Sequence, residues 1–127
     1  MTQQEENPLS EADKMESKMQ VLQVGVQVIF LKEEDYIVAY APALELSSYG
    51  KSEYEAKKAF EEVISIFIEE TQKKGTFERI LIKLGWTLSK VNYEPPKYSP
   101  EELFKLFKTR SAVNVMEQSV PMPVAYA

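Results

Sequence analysis

The sequence contains neither cysteine nor histidine. Without histidine, the chain cannot form the Ser-His-Asp or Cys-His groups of nucleophilic catalysis, and without either residue structural zinc sites and iron–sulfur clusters lose their usual ligands. Disulfide bonds are excluded as well. Only carboxylate, lysine, serine, threonine and tyrosine side chains remain for chemistry, and we predict no metal and no cofactor.

The chain also lacks a long hydrophobic run. Its apolar stretches are far shorter than the roughly 18 to 20 residues that span a bilayer, and residues 1–20 contain no segment typical of a signal peptide. We therefore expect a cytoplasmic protein that binds no membrane. With 127 residues, 44% of them hydrophobic, the chain has the size of one domain with its own core.

Acidic residues outnumber basic ones, 20 to 15, but the excess is unevenly distributed. Residues 19–70 hold ten acids and four bases, whereas residues 71–90 hold one acid and five bases. An acidic surface repels a nucleic-acid backbone, whose binding depends on lysine and arginine, and it attracts a basic protein. The charge therefore favours a basic protein partner, with simple solubility as the alternative explanation.

Composition and patterning divide the chain into three segments. Residues 1–18 are polar and acidic without apolar periodicity, which predicts a disordered tail. Residues 19–92 carry the patterns of an α+β domain. Residues 93–127 form a C-terminal extension with a short helix and a proline-containing edge strand.

The α+β domain begins with three predicted strands. Apolar residues recur at every second position over residues 22–30 and 44–49, as they do in half-buried strands. Residues 36–41 are β-branched and aromatic in character, which also favours a strand. The polar residues 32–35 and the single Pro42 separate these segments. We therefore predict a three-stranded antiparallel sheet.

A long helix is predicted to follow the sheet. Ser52 and Glu55 form the capping box of a helix start, and Gly75 is typical of a helix end. Between them, apolar residues recur at spacings of three and four, a stripe that would pack across the sheet. A second helix over residues 77–84 and a strand over residues 86–91 complete the predicted order β-β-β-α-α-β.

The C-terminal extension starts with a further predicted helix. Ser99, Pro100 and Glu102 are typical of a helix start. The apolar residues of this helix would be Leu103, Phe104 and Phe107.

In the last predicted strand, Val120, Met122 and Val124 alternate with Pro121 and Pro123. Because alternate amides point to opposite edges of a strand, both prolines lack a donor on the same edge. Pairing through Val120, Met122 and Val124 remains possible. This pairing either closes the chain's own sheet or joins a second subunit as an oligomer edge strand.

The segment over residues 24–72 carries an ordered set of motif residues: Asp35-Tyr36-Ile37-Val38-Ala39-Tyr40-Ala41-Pro42-Ala43-Leu44, Ser47, Gly50-Lys51-Ser52 and Glu55-Ala56. In this set the segment resembles the HicB antitoxin family. The family pattern is approximately Asp-Gly-x-Tyr-x-Val-x-x-Pro-x-Leu, a small residue, Gly-Asp-Thr and a helix that opens with Glu-Glu-Ala. The chain departs from it by lacking the glycine after the first aspartate and by placing Lys51 and Tyr54 where acids are usual.

The resemblance implies a partial ribonuclease-H-like fold that lacks that fold's catalytic carboxylates. It also implies an antitoxin that binds HicA, a small basic ribonuclease shaped like a double-stranded-RNA-binding domain, and covers its active site. Many family members add a C-terminal DNA-binding module. Residues 94–127 hold five of the seven prolines and offer one helix, so autorepression through operator DNA is not favoured here.

Our leading hypothesis is therefore a non-catalytic, HicB-like antitoxin that neutralises a HicA-like toxin by protein–protein contact. We predict a contact surface made of the first hairpin's acids and two tyrosines, because acids steer a basic partner and aromatic residues anchor it. Ordinary strand packing is the alternative role for the tyrosines. The predicted residues are Glu33, Glu34, Asp35, Tyr36 and Tyr40.

Other functions are less well supported by the sequence. A stand-alone structural or regulatory module that forms homodimers or larger homo-oligomers, without a toxin, is the main alternative. RNA binding is disfavoured because Glu53 and Glu55 occupy the helix start, where a basic surface would be required. A two-metal nuclease needs several carboxylates converging on metals roughly 3.5 to 4 Å apart, whereas the acids here are predicted in a turn or on a helix's outward face. We therefore predict that the chain is not an enzyme.

Overall fold

The computed structural model describes residues 19–106 and 111–125, and the tail predicted over residues 1–18 lies outside them. The described chain has an α+β fold in which a four-stranded antiparallel sheet packs against one long helix. Its elements in chain order are β1 (Met19–Glu33), β2 (Tyr36–Ala41), β3 (Leu46–Gly50), α1 (Glu53–Lys73), α2 (Phe77–Lys83), β4 (Thr87–Leu88), β5 (Tyr93–Glu94), α3 (Pro100–Leu106) and β6 (Ser111–Ala125).

The main sheet has the strand order β3-β2-β1-β6, and each neighbouring pair is antiparallel. The three N-terminal strands thus lie side by side in sequence order, and the last strand of the chain lies on the other side of β1. The predicted α+β class, with three antiparallel strands, a long helix and a C-terminal edge strand, is confirmed.

Alternation along β1 divides its side chains between the two faces of the sheet. Val26, Val28 and Phe30 belong to the main core cluster beneath α1 and are at most 2% exposed. Ile29 and Leu31 point to the opposite face, where they form a second cluster with Leu103 of α3. Both faces of β1 are buried near its C-terminal end, which explains why residues 28–31 are all apolar.

The third strand is shorter than the sequence predicts. It begins at Leu46, because residues 41–45 form a turn in which the Leu44 amide donates to the Ala41 carbonyl at 3.2 Å. Glu45 adopts a φ of 53° in this turn. Leu44, predicted on the strand, is instead buried in the core from the turn.

The helix α1 begins at Glu53, directly after the predicted capping residue Ser52. Ser52 Oγ accepts a hydrogen bond from the Glu55 amide at 3.1 Å, and Glu55 Oε1 accepts one from the Lys51 amide at 2.9 Å. Two backbone donors near the helix start are thereby satisfied. The buried residues of α1 are Ala56, Phe60, Ile64 and Thr71.

The first turn of α1 lies directly against β3. A Cβ atom on Gly50 would lie only 2.6 Å from the Ala56 amide nitrogen, and Ser48 Oγ donates a hydrogen bond to the Ala56 carbonyl at 2.8 Å. Close approach of helix and strand is therefore the reason for glycine at position 50. This contact fixes the helix relative to β2 and β3.

The segment after α2 contains less strand than predicted over residues 86–91. Gly85 ends the helix with a φ of 100°, and Trp86 enters the core, where its Nε1 donates to the Ala43 carbonyl at 2.8 Å. The strand is limited to β4, which pairs with β5 in a small sheet of its own. It ends at Leu88 because the chain turns there, with the Ser89 amide donating to the Asn92 carbonyl at 2.8 Å. Trp86, the first residue of the predicted strand, is thus part of the core and not of the strand.

The C-terminal strand β6 pairs with β1 of the same chain over almost its whole length. Val120, Met122 and Val124, the residues predicted to pair, have side chains at most 3% exposed. Pro121 and Pro123 lie at positions whose amides would point to the edge of β6 that faces away from β1. Because proline has no amide hydrogen, this edge offers fewer donors to another strand. Of the two predicted alternatives, the structure shows the pairing within one chain.

The short helix α3 covers the middle of the sheet face opposite α1. Ser99 Oγ accepts from the Glu102 amide at 3.1 Å, and Glu102 Oε1 accepts from the Ser99 amide at 2.7 Å, as the predicted cap requires. Gln27 holds the preceding loop, donating to the Tyr98 carbonyl and accepting from its amide, both at 3.0 Å. The side chains of Phe104 and Phe107 lie outside the described part of the chain.

Candidate protein-binding surface

The face of the sheet opposite α1 remains open beside α3, and tyrosines occupy it. Alternation on β2 places Tyr36, Val38 and Tyr40 on this face. On β3, Tyr49 lies opposite Val38, so its ring stands beside the β2 side chains. The rings of Tyr36 and Tyr49 contact each other with centroids 5.4 Å apart. Their exposed fractions are 41% and 70%.

The acidic hairpin lies directly next to this aromatic pair. Glu33 ends β1 and is paired with Tyr36 across the ladder, while Glu34 and Asp35 form the two-residue turn between them and are exposed. A turn this short holds the three carboxylates within one hairpin end. We call Glu33, Glu34, Asp35, Tyr36 and Tyr49 the tyrosine surface.

Tyr40 lies apart from the tyrosine surface although it shares the same face. It is four residues from Tyr36, or about 13 Å along the strand, with Val38 between them. Tyr40 is half-buried, and the pKa of its hydroxyl is raised by burial and further by the nearby Glu45 and Tyr98. Of the five predicted contact residues, the structure therefore brings four together and places Tyr40 at the other end of β2.

Sequence reasoning did not include Tyr49 in the predicted contact surface. The signal was present, because Tyr49 follows Glu45 and Ser47 at spacings of two and so lies on the polar face of the predicted strand. The pattern did not predict the register between β2 and β3, in which Tyr49 lies opposite Val38. Knowledge of that register is needed to see that Tyr36 and Tyr49 form a pair.

The tyrosine surface has the chemical character of a protein contact. Two partly exposed aromatic rings supply apolar area with little side-chain entropy, and tyrosine is enriched at the energetic centres of interfaces. Three adjacent carboxylates create a negative potential, which accelerates and orients the approach of a basic protein. Such an arrangement suits the binding of a folded, positively charged partner.

Two other kinds of site are absent from the described residues. Within residues 19–106 and 111–125, no three acidic side chains lie close enough to hold a metal ion together. None of the helices in these two ranges combines the length and apolar character needed to cross a membrane. The buried tyrosine Tyr93 donates to Glu78 at 3.4 Å, and burial and that carboxylate raise the pKa of its hydroxyl.

Comparison with known proteins found no match, whether to family models, to curated proteins or to solved structures. The similarity to HicB antitoxins therefore rests on the residues of the 24–72 segment and stays a prediction.

Proposed function

We propose that this chain is a non-catalytic, HicB-like antitoxin that binds a small basic ribonuclease of the HicA type and blocks its active site. Two features support the proposal, and they share Asp35 and Tyr36. The first is the ordered set of HicB-like residues, which lies on β2, β3 and the start of α1. The second is the tyrosine surface, which stands on those same strands.

The observation that carries the proposal is the exposed Tyr36–Tyr49 pair beside the acidic hairpin. Exposed aromatic pairs at a sheet margin offer apolar area that water solvates poorly. Because three carboxylates border the pair, a partner gains most by presenting lysine or arginine around an apolar patch. A small basic ribonuclease has this character, since its own substrate is an RNA backbone.

The main alternative is a homo-oligomeric module that has no toxin. The two proposals make opposite predictions for the protein encoded by the neighbouring gene. An antitoxin would co-purify with that protein after co-expression, and a stand-alone module would not.

Replacing both rings, Tyr36→Ala with Tyr49→Ala, is expected to weaken toxin binding by about 100-fold or more. Central aromatic residues each contribute on the order of 1.4 kcal/mol or more to an interface, which is about tenfold in affinity. Isothermal titration of the purified neighbouring gene product measures the effect. Because both rings are partly exposed, the fold should be retained, and circular dichroism checks this.

Tyr54→Ala provides the matched control for this experiment. Tyr54 is 69% exposed, close to the 70% of Tyr49, but it lies on α1, away from the tyrosine surface. Its removal should leave the affinity unchanged. Equal losses from both variants, or no loss from the double variant, would show that the tyrosine surface is not the contact.

A further inference from the structure

The outward face of α1 is acidic around one exposed isoleucine. Residues 61–70 contain four glutamates and no lysine or arginine. Glu62, Ile66 and Glu69 are spaced four and three residues apart, so they lie on one face of the helix. Ile66 is 59% exposed there. We call these three residues the acidic face.

A groove of about 870 Å³ runs beside the acidic face, between α1 and the free edge of β6. Its floor is apolar, with Ile64, Ile68 and Val120 among its lining residues. Glu69 and Lys73 also line it, and they form an exposed ion pair at 3.8 Å. Pro121 also lines it and offers no amide hydrogen. The amide of Val115, further along β6, is already bonded by Asn114 Oδ1 at 2.9 Å. The edge is therefore a poor template for an added strand, and the groove suits a helix.

The helix α2 carries the complementary surface. Residues 79–91 contain three basic residues and no acid. One face of α2 carries Arg79, Ile82 and Lys83, because residues three and four positions apart lie on the same side of a helix. Ile82 is 59% exposed there. Glu78, the acid of this helix, accepts a hydrogen bond from the Tyr93 hydroxyl at 3.4 Å. We call Arg79, Ile82 and Lys83 the basic face.

We propose that the acidic face and the basic face bind each other between two copies of this chain. Each face has one exposed isoleucine flanked by two charges of one sign, and the signs are opposite. Contact would remove both isoleucines from water and pair the charges, with Ile82 of one copy directed at the groove beside α1 of the other. Within one copy both isoleucines remain exposed. Glu69 pairs there with Lys73 of its own helix rather than with the basic face, and such an exposed pair is weak enough to be exchanged for one between copies.

This association does not depend on the proposed antitoxin function. The acidic and basic faces belong to helices on one side of the sheet, whereas the tyrosine surface lies on the other side. A pair of chains joined through α1 and α2 would therefore leave both tyrosine surfaces free. Failure of either proposal would leave the other standing.

The test is a charge exchange, measured by sedimentation equilibrium of the full chain over a wide concentration series. One variant carries Glu62→Lys and Glu69→Lys, and the other carries Arg79→Glu and Lys83→Glu. Each alone should weaken association by about tenfold or more. An equimolar mixture of the two variants, and a single chain carrying all four changes, should regain the association.

Matched controls separate the local contact from a general charge effect. Glu94→Lys with Glu101→Lys changes the net charge equally at exposed positions on other elements, and it should leave the association unchanged. Ile66→Ser and Ile82→Ser remove the exposed isoleucine of each face without altering the charge, and each should also weaken association. If circular dichroism shows that the charge variants are unfolded, the two serine variants serve as the test in their place. A wild-type chain that stays monomeric throughout, or a mixture that fails to regain association, would overturn the proposal.

Discussion

A chain that ends at residue 110 is expected not to fold. The strand β2 pairs only with Ile29–Glu33 of β1, so β6 is the one neighbour of residues 19–28 in the described sheet. Removal of β6 also takes Val120, Met122 and Val124 out of the core. Three such side chains contribute roughly 5 to 9 kcal/mol together, which approaches the roughly 5 to 15 kcal/mol that stabilises a typical domain.

Circular dichroism and size-exclusion chromatography measure this effect, and the opposite truncation is its control. A chain that starts at residue 19 loses a similar number of residues, all from the segment that the sequence predicts to be a disordered tail. It should keep the melting temperature of the full chain. A cooperative thermal transition in the chain that ends at residue 110 would contradict the role given to β6.

The second large effect is expected from Phe60→Ala. Phe60 is fully buried in the middle of α1, in the main cluster between the helix and the sheet. Truncation of a buried phenylalanine leaves a cavity in addition to lost hydrophobic transfer energy, and it typically costs about 3 to 5 kcal/mol. The free energy of unfolding in urea should fall by this amount, which is a large share of the total.

Ile66→Ala is the control for this measurement on the same helix. Ile66 is 59% exposed, so its truncation should change the free energy of unfolding by no more than about 0.5 kcal/mol. This comparison is made at concentrations where the chain is monomeric. A loss below about 1 kcal/mol for Phe60→Ala would show that α1 does not pack as tightly as described.

Local signals in the sequence predicted most of the fold. Alternation and residue type are properties of a strand by itself; alternation located β1, and β-branched and aromatic residues located β2. The caps at Ser52 and Ser99 use hydrogen bonds between residues three apart, so both helix starts could be read from the chain. The four buried residues of α1 all belong to its predicted apolar stripe, whereas Ala59, Val63 and Phe67 of that stripe are only half-buried.

The features that sequence reasoning missed all depend on long-range contacts. The strand β6 begins at Ser111, nine residues before the predicted alternation, because its first half is ordered by pairing with β1. Trp86 leaves its predicted strand for a hydrogen bond to Ala43, forty-three residues away. Tyr49 joins Tyr36 only through the β2–β3 register. No local pattern specifies such partners.

The central claim is that this chain neutralises a basic ribonuclease by binding it. The most direct measurement is a titration in which the purified product of the neighbouring gene cleaves RNA while the folded chain is added in increasing amounts. We predict that cleavage falls in proportion to the added chain and reaches background once the toxin is saturated, while the Tyr36→Ala, Tyr49→Ala variant inhibits only at much higher concentration. Unchanged RNA cleavage in the presence of excess folded chain would contradict the claim.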